Sequence, residues 1–182
     1  AGAAFSVLEP ESGKQSFLRV VTNPKPDGYR HLTTFGWAAS EMACQDVDAL
    51  QERLKESPFE IIGPAADLEM IPQIRAMQVR GLADEVFYLT MFKEDLPEFD
   101  LPEANSFVDR MFIAVLATDG PEKVQAWFDT HWGIAPGAIA DTKLTIIDDA
   151  FGVPQRSLDL RLTVATMRGR SLVEIDGYPP QA

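Results

Sequence analysis

Residues 37–54, WAASEMACQDVDALQERL, read as a strand that runs into an acid-capped helix, and residues 110–128, RMFIAVLATDGPEKVQAWF, repeat that reading. Each opening has its own close: AMQVRGLADEVFYLTMF at 76–92 for the first, and LDLRLTVATMRGRSLVEID at 158–176 for the second. The layout is one strand, one helix and three strands, given twice. A repeat of this kind fixes the architecture before any local propensity is weighed. The expected fold class is α+β, built of repeated βαβββ units.

Within the first unit, Trp37–Cys44 alternates as a half-buried strand does. Asp46 is placed to cap a helix, because its carboxylate can accept the free amides of the first turn. Val47, Leu50 and Leu54 recur at helical spacing until Pro58, and strands follow at Phe59–Ile62, Ile74–Arg80 and Glu85–Phe92. The second unit opens with a strand over Arg110–Ala117. Asp119 and Glu122 fit a capping box, and Val124, Trp127, Phe128 and Trp132 make an apolar stripe read as core or unit interface. Gly133 suits the helix end, and strands are expected near Lys143–Ile147, Leu158–Ala165 and Ser171–Ile175.

The remaining segments join these units. Phe5–Leu8 and Phe17–Val21 flank EPESGKQS as a hairpin, read as the tail of an incomplete earlier unit. The division expected is 1–34 hairpin and loop, 35–92 first unit, 93–107 acidic linker, and 108–177 second unit. KEDLPEFDLPEANS, residues 93–106, reads as a solvated connector, since its acids repel and its prolines open the backbone.

The net charge of −12 argues against nucleic acid and anionic membrane as partners, since both need a basic footprint. The single cysteine, Cys44, excludes an internal disulfide and fits a reducing compartment, so a cytoplasmic setting is expected. There is no phosphate loop, no dinucleotide glycine fingerprint and no nucleophile elbow. The chain begins AGAAFSV without methionine. A trimmed chain or a piece of a longer one is therefore expected.

CQDVDALQERL with FEIIGP behind it, VRGLADEVFYLT, and RGRSLVEID resemble the βαβββ modules of the vicinal oxygen chelate superfamily, which includes glyoxalase I, extradiol dioxygenases and bleomycin-resistance proteins. The resemblance implies curved mixed sheets that form a cup, with helices outside. It also implies metal ligands on the first and last strand of each module, at positions that fall on Ala39 and Tyr88, and on Arg110 and Glu174. Only Glu174 matches the family's ligand type, because alanine offers no lone pair and arginine is a permanent cation. No metal or other cofactor is therefore expected, unless ligands come from outside this chain. Arg110 and Glu174 are expected to face one another as a cross-strand pair.

Glu41, Gln78, Arg80, Tyr88 and Thr90 have cup-facing parity, whereas Met42, Cys44, Met77, Val79, Phe87 and Leu89 face the helix. His31 precedes the first unit beside Tyr29 and Arg30, and His131 lies late in the second helix, so no histidine pair stands at metal spacing. The ligand-binding candidates are thus Glu41, Gln78, Arg80, Tyr88, Thr90, Arg110, Glu174 and His31. The expected function is small-molecule binding without the family metal. The alternatives are a lyase, isomerase or dioxygenase with ligands in missing parts, and a drug-sequestering dimer. A homodimer, or membership of a longer multi-module chain, is the expected assembly.

Overall fold

The computed structural model describes residues 3–22, 25–97 and 99–180. Strands β1 (Phe5–Leu8) and β2 (Leu18–Val21) pair antiparallel in a sheet of their own. They stand apart from the main sheet. The hairpin is instead tied across to the second unit, where Ser12 Oγ donates to Asp109 Oδ1 at 2.7 Å.

The main sheet has eight strands. Its first half is β3 (Gly36–Cys44), helix α1 (Val47–Leu54), β4 (Glu60–Asp67), β5 (Ile74–Arg80) and β6 (Val86–Phe92). The second half is β7 (Val108–Thr118), helix α2 (Pro121–Trp132), β8 (Ala140–Thr142), helix α3 (Thr145–Phe151), β9 (Leu160–Met167) and β10 (Ser171–Gly177). In space the order is β4-β5-β6-β3-β7-β10-β9-β8, so the two halves mirror one another about the β3–β7 pair. That pair is antiparallel, whereas β3–β6 and β7–β10 are parallel. The two units therefore satisfy each other's first strands within one chain, and neither needs an outside module to cover that edge. The fold is α+β, with one curled mixed sheet forming a half-barrel.

Local chemistry explains most of the elements. Asp46 Oδ1 accepts from the Ala49 amide at 2.9 Å, which caps α1 as expected. Val47 and Leu50 then bury against Met77, Val79, Leu89 and Cys44 on the convex face. Each such side chain withdrawn from water contributes about 1.5–3 kcal/mol. Gly133 closes α2 in the left-handed region at φ 66°, its amide bonding to Asp129 O.

Three expectations need correction. Helix α2 has no Asp119–Glu122 capping box: its N-cap is Gly120, and Pro121 starts the helix. Proline supplies a ready-made φ and removes one of the amides that the first turn would leave unpaired, and Asp119 points instead to Lys123 at 3.7 Å. Of the aromatic stripe only Phe128 is core, since Trp127 is 46% and Trp132 53% exposed. The strand expected at Lys143–Ile147 is in fact the short link after β8 and the first turn of α3. Ile147 and Phe151 stand four apart, so a helical turn buries Ile147 in one cluster with Tyr88, Val86 and Tyr178 and packs the half-buried Phe151 against it. That helix, with Leu32 from the loop before β3, covers part of the concave face.

Candidate functional site

On the concave face β3 contributes Glu41, β6 contributes Tyr88 and Thr90, and β10 contributes Glu174 and Asp176, with Tyr178 just beyond. The register sets Glu41 beside Tyr88 on one side and Ile113 on the other. Glu174 lies beside Val115 and Asp176 beside Ala117. The inward side chains between the two acidic strands, including Ala39, Val115 and Ala117, are short. The long polar side chains flanking them can therefore lean together over β7.

The electrostatics are unusual. Thr90 Oγ donates to Glu41 Oε1. Burial nevertheless raises the Glu41 carboxyl to about 7, because desolvation outweighs that hydrogen bond. Desolvation also lifts Asp176 to about 7, with the Glu41 charge adding to the rise and a shared proton from Glu174 opposing it. Glu174 is held well above the carboxylate range by burial first, then by the charges of Asp176 and Glu41. Glu41 and Glu174 keep a partly exposed surface, but protein surrounds their carboxyl groups deeply enough for desolvation to dominate. Asp176 is 1% exposed, and with both acids ionised neither of its oxygens has a donor. The Tyr88 and Tyr178 hydroxyls are likewise buried without a partner. Burial and the neighbouring carboxylates keep both phenols protonated.

The other sequence candidates go elsewhere. Gln78 sits opposite Tyr88 on β5, but its Oε1 lies over Gly63, 2.0 Å from where a Cβ would be, so it packs against β4. Arg80 joins a rim cluster, binding Glu60, lying 3.8 Å from Asp84 and 3.3 Å from His31 Nδ1. Desolvation first and Arg80 second lower the His31 pKa, which disfavours the imidazolium. Arg110 does not pair with Glu174. The parallel register matches Glu174 to Val115, five residues beyond Arg110 on β7. The guanidinium reaches instead to Gly169 O at 2.9 Å and Ser171 Oγ at 2.6 Å. His131 is exposed and stacks on Trp127 at 4.4 Å, and burial pushes the Cys44 thiol up to about 12, leaving it inert. Asp176 and Tyr178 were missed, although the alternation Glu174-x-Asp176-x-Tyr178 puts all three on one face.

A hollow of about 430 Å³ lies at the Cys44 and Phe92 ends of β3 and β6, roofed by Leu96 and Leu101. It does not include the carboxyl cluster. Among the described residues, the buried polar atoms without a partner are those of Tyr88, Asp176 and Tyr178 on the sheet floor and Thr33 Oγ1 in the loop before β3.

No family model and no curated protein matches this sequence. Solved structures do. Glyoxalase I from Zea mays superposes with a TM-score of 0.60 at 14% identity, over 96% of this chain and 53% of that one. Methylmalonyl-CoA epimerase from Mycobacterium tuberculosis superposes with a TM-score of 0.53 at 10% identity, over 84% of this chain and 93% of that one. The chain has the vicinal oxygen chelate fold. It spans about half the length of the maize enzyme.

The vicinal oxygen chelate fold implies a metal, and the donor set here does not suit one. Ala39 has no donor atom, and the Arg110 guanidinium is occupied with Gly169 and Ser171. Tyr88 keeps its proton, which leaves Glu174 as the one family-type ligand. Among the described residues no group of three His, Cys, Asp or Glu side chains is arranged to hold a metal ion.

Proposed function

We propose that this chain binds a small molecule in the half-barrel through Glu41, Thr90, Tyr88, Glu174, Asp176 and Tyr178, without a transition metal of the family type. One observation carries the reading: buried carboxyl and phenol groups converge from β3, β6 and β10, and several have no partner within the protein. A buried polar atom left unpaired costs about 1–3 kcal/mol, so a patch of them is accounted for by a ligand that supplies the missing bonds. Carboxyl groups held near 7 also suit proton exchange with a bound molecule at neutral pH.

The solved relatives bear on this only through the fold. The M. tuberculosis structure is named for an epimerase of methylmalonyl-CoA, and the maize one for glyoxalase I. Among the described residues no helix is long and apolar enough to cross a membrane. Self-association and a cytoplasmic setting belong to the same proposal. What supports the first is the hairpin, with Phe5 60%, Phe17 58% and Val20 57% exposed. What supports the second is the lone buried thiol.

The test is amide NMR with a mixed library of small cationic, anionic and neutral fragments. Binders should shift the Ala39, Val115, Ala117 and Glu174 amides. Fragments that shift only the linker hollow, or none that shift the sheet floor, would defeat the reading.

A further inference from the structure

The concave face is short of positive charge and of hydrogen-bond donors. Among the described residues, Glu41, Glu174 and Asp176 receive one side-chain hydrogen bond from another kind of residue, that from Thr90, and none forms an ion pair. The arginines on the flanking strands are committed elsewhere, Arg110 to Gly169 O and Ser171, Arg161 to Glu122. The acids are not the whole observation. Tyr88 and Tyr178, only 7% and 4% exposed, bring unpartnered hydroxyls within electrostatic reach of the same carboxyl groups. A structural polar core would have satisfied these atoms internally.

Building on the small-molecule reading, we propose that the ligand carries a protonated primary amine, its ammonium group seated among Glu41, Glu174 and Asp176 beside the two tyrosine hydroxyls. An ammonium supplies a positive charge and three donors that radiate from one nitrogen. The acceptors come from β3 and β10, on either side of β7, and a tetrahedral donor suits such separated acceptors better than a planar guanidinium fork does. A metal ion would need oxygens converging to about 2.0–2.6 Å on one point, an arrangement absent among the described residues. Ammonium hydrogen bonds run to about 2.7–2.9 Å and tolerate a looser ring. The partly exposed Glu41 and Glu174 give the head group its way in, with Asp176 and the tyrosines behind them. The net charge of −12 favours a cationic ligand over an anionic one in long-range approach.

Titration calorimetry at about pH 8 and low salt tests this with n-propylammonium, tetramethylammonium, n-propanol and calcium chloride. Propylammonium should bind at least about tenfold more tightly than the other three. Asp176→Asn and Glu174→Gln should each weaken it by about tenfold or more, with folding of each checked by circular dichroism. Both substitutions remove a buried charge, so folded variants are expected, and Glu41→Gln serves as a further variant on the opposite strand. Equal binding by tetramethylammonium would reduce the effect to charge screening and overturn the proposal. Tighter binding by calcium, or propylammonium affinity untouched in folded variants, would overturn it too. If n-propanol or an anionic fragment shifts the sheet-floor amides while propylammonium does not, the amine is refuted and the small-molecule site stands. If nothing shifts them, both fall.

Discussion

Asp148 and Asp176 are equally hidden from solvent, 0% and 1% exposed, but Asp176 lies far deeper among protein atoms, and their carboxyl groups are driven in opposite directions. Burial pushes Asp148 up, but hydrogen bonds from the Leu158 and Arg156 amides and from Ser157 more than offset it, so the acid is held below its ordinary range. The two amide bonds are 2.9 and 2.8 Å long and pin the loop between α3 and β9. Asp109 behaves the same way, with burial outweighed by donors from Ser12, Asn105, Arg110 and Ser106. Asp176 faces a sheet floor with no such donors and is raised to about 7. Burial alone therefore says little about what an acid is for. Depth in the protein and the supply of donors together separate an aspartate that builds a loop from one left short of partners.

The largest test of that contrast is the pH dependence of stability. Glu41, Glu174 and Asp176 are raised on folding, so the native state holds more protons than the unfolded chain. Stability should thus be greatest near pH 5 and fall as pH rises through 7, by on the order of 4 kcal/mol for the group together. Urea unfolding at stepped pH should give that slope, and a flat profile would mean that the floor is well solvated.

Asp148→Ala comes next. It leaves the part-buried Arg156 and Leu158 amides without their acceptor, and should cost on the order of 2 kcal/mol at neutral pH. The contribution of Asp148 is that of a lowered acid, present above its unfolded pKa and lost as pH falls below it. Asp176→Asn should have the opposite sign. It removes an unpartnered buried charge, so a gain of roughly 1–2 kcal/mol is expected near pH 8 and almost none near pH 5. Destabilisation at both pH values would place Asp176 in the class of Asp148. The smallest effect belongs to the rim. Arg80→Met removes contacts with Glu60 and Asp84, whose charges are already balanced by Lys25 or by solvent, and should cost less than about 1 kcal/mol. Denaturation with and without added salt checks it, since the loss should shrink as salt rises.

The strand-and-helix repeat could be read from the chain because period-2 and period-3.6 alternation are local properties. So could the division of β5 and β6 into inward and outward residues, with Met77, Val79, Phe87 and Leu89 on the helix side. The shared sheet face was legible by the same parity: Glu41 lies beside Tyr88 and bonds to Thr90, and Glu174 lies on β10 across β7. Asp176 and Tyr178 needed only that rule carried two and four residues further. Arg110 misled because pairing register is not written in a strand. A parallel β7–β10 ladder sets Val115, not Arg110, beside Glu174. The segment TII at 145–147 misled because β-branched residues favour strands in isolation. Tertiary burial of Ile147 and part-burial of Phe151 outweigh that preference.

What the sequence by itself determined is the repeated layout, the cap at Asp46, the turn at Gly133 and the acidic balance, since each depends on neighbours in the chain or on a sum over it. Tertiary structure decided that β3 and β7 pair inside one chain, that α3 covers part of the concave face, and which buried acids find donors. The reason is physical. A carboxyl group's charge depends on the atoms around it, and for Asp176 those atoms come from strands and loops far apart in sequence.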